Sequence, residues 1–311
     1  MTDAGEDYLD PLDDPLQRLA AEGGWDERAR AIEADVARQR RRASRRMPRA
    51  PRVRRRQAGV SWLFVLLVAL SAASGWGMWS GVVPDQAAVF VFILTGWLVT
   101  LCLHEYAHAL VAHRGGDDTI EAKGYLRLNP LTYGHPVLTF LLPLFALLTG
   151  GLPLPGGAVL VESERLRSRH RDALVSMAGP AVNVVAAGLL LTTVALLGPA
   201  GIYDLGEPHA VFWAGLTLLA YLQVASAALN LLPIPGLDGY GMIEHYLPSR
   251  IQAVGRKIRP FGLLVVFLLL YLPPVRQGFG DLTIWITESS GTPVNGIYYG
   301  YQLFQFWRGW F

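Results

Sequence analysis

Long apolar runs alternate with short polar ones from residue 60 onward, and their lengths set the elements. Val60 to Val83 is apolar and exceeds the roughly 20 residues that a bilayer core demands. Pro84 and Asp85 make a turn, and Gln86 to about Val111 is a second apolar run leading back. His113 to Pro136 is polar and rich in breakers, among them Gly115-Gly116, Asn129-Pro130 and His135-Pro136. Val137 to Thr149 is apolar but spans only 13 residues with Pro143 inside it, which suits a re-entrant segment rather than a span. Ala173 to Leu197 and His209 to about Leu232 are two further spans, joined by an outer turn over Gly198 to Pro208. Phe261 to Leu272 begins a last span, directed outward. The pattern predicts an all-α polytopic membrane protein with about five to six transmembrane helices and a re-entrant or short β segment after the second helix.

Composition supports this reading. Of the 311 residues 52% are hydrophobic and 17% are charged, where a soluble domain carries about a quarter charged. The lone Cys102 excludes an internal disulfide. Net charge is +2, but the charges are segregated. Residues 1–59 read as a largely disordered arm, acidic then basic. Asp3 to Asp35 holds eleven acids and three arginines, and Arg38 to Arg56 holds eleven arginines and no acid. Because the basic stretch abuts an apolar span, it suits anionic lipid headgroups and not nucleic acid. The positive-inside rule then places the N-terminus in the cytoplasm, together with Arg165, Arg167, Arg169, Arg171, Arg250, Arg256, Lys257 and Arg259. Residues 60–275 form the membrane domain, and residues 276–311 an aromatic C-terminal segment.

The chemistry sits in the second span, in His104-Glu105-Tyr106-Ala107-His108. Residues four apart share a helix face, so both imidazoles reach one metal, with Glu105 beside them, where it can hold a metal-bound water. Buried histidines and a glutamate in an apolar span are costly and normally functional. His104 lies 18 residues after Gln86, about 27 Å along the helix, which places the motif just inside the cytoplasmic edge. A tetrahedral zinc with one position open for water needs a third protein ligand. Asp238 fits, in Asn230-Leu-Leu-Pro-Ile-Pro-Gly-Leu-Asp238-Gly239, where Pro233 and Pro235 unwind the helix. His108 and Asp238 share an ion only if an even number of crossings separates them. Spans 173–197 and 209–232 supply two, so the short segment at 137–149 does not cross.

The His104–His108 motif, Gly179-Pro180-Ala-Val-Asn183 and the segment from Asn230 to Gly239 occur in the order seen in site-2 protease family intramembrane metalloproteases, which the chain resembles over roughly residues 86 to 245. The resemblance implies zinc held by His104, His108 and Asp238, with Glu105 as general base, and cleavage of membrane-embedded segments of other proteins. Leu126 to Leu131 is similar to the family's strand and loop after the first motif, and either the re-entrant piece or the edge strand around Gly124 to Leu128 is available to pair with an extended substrate. Asn183 lies at a depth comparable to the metal and is a substrate-binding candidate, as is Asn230, which otherwise braces the unwound loop. Tyr240, Gly236 and the Tyr133-Gly-His135-Pro136 stretch depart from the family pattern without touching the ligands. No PDZ module fits in the 60 residues from 113 to 172.

The function expected is intramembrane zinc-dependent hydrolysis of transmembrane protein substrates, with the active site near the cytoplasmic side. Two other classes remain: a silent scaffold that binds transmembrane helices, and a metal transporter. Pure binding does not require Glu105, and transport requires ionisable groups at several depths, where here they cluster near one face.

Overall fold

The computed structural model describes residues 59–133, 142–150, 159–199 and 207–307, together with Ala34. The helices described below all belong to one compact unit, which ends at Phe311. Apart from Ala34 and Gly59, the expected arm at 1–59 lies outside the described residues, as do His135 and the first part of the apolar segment at 137–149.

The first strand, β1 (Gly59–Val60), leads into α1 (Trp62–Ser80), whose start is capped by the Ser61 side chain accepting from the Phe64 N–H at 3.1 Å. Gly81, at φ 66°, ends α1 in the left-handed conformation that glycine adopts without strain. After Pro84 comes α2 (Asp85–Gly115), which at 31 residues is about 46 Å long and outreaches an apolar core of about 30 Å. A short α3 (Thr119–Lys123) and β2 (Arg127–Leu128) come next, then α4 (Leu142–Gly150), α5 (Arg169–Leu197), α6 (Ala210–Asn230) and α7 (Asp238–Glu244). The chain closes with α8 (Ser249–Ile258), α9 (Gly262–Tyr271), α10 (Pro273–Glu288) and α11 (Asn295–Phe304).

Among the described residues, α1, α2, α5 and α6 are each long and apolar enough to cross a membrane, and a fifth span exists if the bent pair around Pro273 counts as one. With nine residues, α4 reaches about 14 Å and does not cross a core by itself, in keeping with the re-entrant reading. The last span is where the structure departs from the apolar pattern. It is not one straight helix from Phe261: the run Ser249–Tyr271 and α10 meet at 93°. Pro273 and Pro274 lack the N–H groups a continuing helix needs, so the chain turns there and restarts.

The bundle is organised around α6, which is buried over nearly its whole length among α2, α5, α10 and α11. Small residues let the backbones close up where there is no hydrophobic force between helices. Gly96 of α2 sits against Leu219, and Gly300 of α11 against the backbone of Ala214. The aromatic C-terminal segment packs into this bundle: Phe304 is buried and stacks on Phe90 with ring centroids 5.6 Å apart. The strands pair in parallel, Gly59 with Arg127 and Val60 with Leu128, and the Ser61 hydroxyl donates to the Leu128 carbonyl at 2.5 Å. One edge of β2, expected to receive substrate, is thus occupied by the chain's own segment before α1.

A Cβ on Gly300 would stand 2.7 Å from the Ala214 carbonyl oxygen, which cannot yield without moving α6. Gly300→Ala is expected to destabilise the bundle by about 1–3 kcal/mol, read as a lower midpoint of denaturant unfolding in detergent.

Candidate metal centre

His104, Glu105 and His108 are buried near the C-terminal end of α2, on adjacent turns. The Nε2 atoms of His104 and His108 face each other at 3.1 Å. The third group arrives from a different part of the chain. After Asn230 the helix stops, Pro233 and Pro235 keep the next residues from resuming it, and Asp238 opens α7. Its Oδ2 lies 3.2 Å from Nε2 of His104 and 3.4 Å from Nε2 of His108.

The residues fit a metal ion. Four donors about 2.0–2.1 Å from a zinc ion in a tetrahedron stand about 3.3–3.4 Å apart, which the three separations approach. Each imidazole also has its Nδ1 engaged: that of His108 donates to the Val175 carbonyl at 2.6 Å, and that of His104 to Oδ1 of Asn183 at 2.6 Å. Both Nε2 atoms therefore carry lone pairs, and the Asp238 carboxylate adds another. Three electron-rich atoms aimed at one point repel one another unless a cation lies between them. His104, His108 and Asp238 form the one metal-ligating cluster of three among the described residues.

Behind His104 the hydrogen bonds continue across three helices. Asn183 Nδ2 donates to Gln223 Oε1 at 2.8 Å, Gln223 Nε2 to Thr100 Oγ1 at 3.0 Å, and Thr100 Oγ1 to the Trp97 carbonyl at 2.9 Å. Every donor points the same way, and the chain ends on backbone. In apolar surroundings such groups are tolerated only when paired. Asn183, expected as a substrate-binding candidate, bonds His104 and Gln223 through its amide. Asn230 lines the cavity that opens beside the ligands. Gln223 was not legible as a site residue. The available signal was an amide midway through an otherwise apolar span.

Gly179 explains the closeness of α5. A Cβ there would collide with Nε2 of both His104 and His108. With hydrogen in its place, α5 lies directly against the ligand atoms. Pro180 follows inside the helix and frees the carbonyl one turn back.

A cavity of about 310 Å³ opens from these groups. Glu105, whose Oε2 has no hydrogen-bond partner, lines it with His104, His108 and Asp238. Val159, Leu160 and Val161 form one wall, and Asp172, Glu244 and Arg259 lie at its polar side. His245 bonds Asp172 there, and Arg259 forms an ion pair with Glu244. His170 bonds the Tyr246 hydroxyl and His209 the Trp79 carbonyl, so neither belongs to the cluster.

Among known proteins, the chain is 42% identical over 254 residues to a Mycolicibacterium smegmatis protein provisionally named zinc metalloprotease Rip2, covering 80% of this chain and 95% of the relative. It is 40% identical over 253 residues, with the same coverage, to the protein so named in Mycobacterium tuberculosis. A more distant relative, provisionally named zinc metalloprotease YwhC, from Bacillus subtilis, is 31% identical over 204 residues, covering 64% of this chain and 87% of the relative. No family model matches the chain, and no solved structure matches it.

Removing the partner of His104 Nδ1 leaves the ring free to turn. Asn183→Ala is expected to weaken zinc binding by about 10–100-fold, measured by competition with a chelator in detergent. Gly179→Leu is expected to abolish zinc uptake, because its side chain occupies the ion's place.

Proposed function

The chain belongs to the site-2 protease family of zinc metalloproteases, and on that premise we propose that it hydrolyses peptide bonds in or near the transmembrane segments of other membrane proteins. It is an integral membrane metalloprotease that uses zinc. The observation that carries the finer reading is the meeting of three ligand atoms with the unpartnered carboxylate oxygen of Glu105 in one cavity.

His104, His108 and Asp238 hold the ion, and Nδ1 bonds to Asn183 and Val175 fix the direction of each imidazole. Zinc supplies Lewis acidity for the attacking water and the scissile carbonyl. Glu105 takes a proton from the water as its oxygen bonds to the carbonyl carbon, and passes that proton to the departing nitrogen. The second water proton leaves the new carboxyl group for the amine, so the products are a carboxylate and an ammonium, and atoms and protons balance. A substrate helix must unwind first, because its carbonyls are tied within the helix. In this reading the unwound stretch enters along Val159, Leu160 and Val161, which line the cavity beside Glu105. Asn230 faces the same space.

The active site faces the cytoplasm in this reading. Pairing of β1 with β2 sets residue 59 at the metal end of α2, directly after the eleven arginines of 38–56 in sequence. Arg165, Arg167 and Arg171 precede or open α5 at that end. Water reaches the metal from there without crossing the apolar layer.

Glu105→Gln keeps the shape and removes the base. Zinc content is expected to remain while cleavage of a co-expressed membrane substrate falls by about 10²–10⁴-fold. Unchanged cleavage would remove Glu105 from its role. Zinc flux into proteoliposomes would favour transport instead. Comparing membrane proteomes of cells with the two forms identifies the uncut substrate.

A further inference from the structure

The helical run after α7 is built unlike a span. α8 and α9 follow each other through a turn at Arg259–Phe261. The run Ser249–Tyr271 is bent by 93° from α10, and α10 lies along the bundle. Ile286 packs with Ala187, Leu191 and Ala220, and Thr283 Oγ1 donates to the Tyr221 hydroxyl at 3.2 Å. The run Ser249–Tyr271 therefore lies across the bundle. It sits at the metal end, because Gly262 presses on the Pro235 carbonyl and Gly236 on that of Arg259.

Its two halves differ in chemistry. On α8 and the turn after it, Ile251, Val254, Ile258 and Phe261 are exposed at helical spacing on one face. The other side is packed, with Gly255 against Tyr240 and Gln252 donating to the Leu247 carbonyl at 2.8 Å. The same stretch carries Arg250, Arg256, Lys257 and Arg259 and no acid. Arg259 is paired with Glu244, while Arg250, Arg256 and Lys257 point outward. By contrast, α9 carries no charge and exposes Leu264, Phe267, Leu268 and Leu269. Water disfavours the apolar stripe, and hydrocarbon disfavours the cations. Only the headgroup layer satisfies both, with the long basic side chains reaching outward.

We propose that the run Ser249–Tyr271 lies in the membrane interface at the metal end. α8 rests on anionic phospholipid headgroups with its stripe among the first acyl carbons, and α9 sits slightly deeper. The run is tied to the segment that presents Asp238. Gly236 meets Arg259, Gly262 meets Pro235, Gly255 meets Tyr240, and Arg259 pairs with Glu244. The depth of the helix and the depth of Asp238 are therefore one quantity.

The test uses the full chain with Val254→Cys carrying a nitroxide, in nanodiscs of phosphatidylcholine with phosphatidylglycerol. Val254 is exposed and Cys102 is buried, so the introduced thiol alone takes the label, as the unsubstituted protein verifies. Among acyl chains the label collides readily with oxygen and rarely with a water-soluble nickel chelate, and this is the expected result. Frequent collision with the chelate puts the face in water and overturns the proposal. Low collision with both reagents puts protein over the face, the chain's own acidic arm included, and equally overturns it. Adding Arg250→Glu and Lys257→Glu is expected to bring the label toward the chelate. Each basic residue at an anionic surface contributes about fivefold, so losing two weakens the attraction by at least about 25-fold, with the repulsion of two carboxylates added. Unchanged depth in that variant would reject the headgroup contact. None of these readouts needs zinc or cleavage, so they stand apart from the proposed reaction.

Discussion

Two imidazoles on adjacent turns of one helix cannot complete a metal site alone. The third donor must come from elsewhere in the chain, and every polar group recruited on the way must be paired, because the surrounding medium offers no water. That constraint accounts for much of the structure around α2. The unwound stretch after α6 delivers Asp238. The chain of donors from His104 through Asn183 and Gln223 to Thr100 ends on a backbone carbonyl, so no polar group in it is stranded. Gly179 lets α5 come close enough for Asn183 and Val175 to reach the rings.

The same constraint places the site at a helix end. An unwound backbone at membrane depth must lie against protein or a wet cavity. Here the segment between Asn230 and Asp238 does both: it leans on the start of α9 and faces the cavity that holds Glu105. The histidines lie near the C-terminal end of α2.

The two short strands carry a further consequence. β1 belongs to the segment just before α1, and it occupies an edge of β2. The chain therefore enters α1 beside the loop region of the site. Val159, Leu160 and Val161 line the same cavity as Glu105.

Much of this was legible in the sequence because it depends on local quantities. Apolar run length fixed α1, α2, α5 and α6, and the brevity of the 137–149 segment excluded a crossing there. The spacing of His104 and His108 fixed a shared face, and counting crossings pointed to Asp238 on the same side. The bracing of His104 by Asn183, the part played by Gln223, the closeness allowed by Gly179, the bend at Pro273 and the occupied edge of β2 were decided only by the tertiary structure. Each depends on how neighbouring helices are rotated and at what depth they meet. A uniformly apolar run tells the chain to be a helix in lipid, but it leaves that helix free to turn about its axis, and only packing against its neighbours removes the freedom.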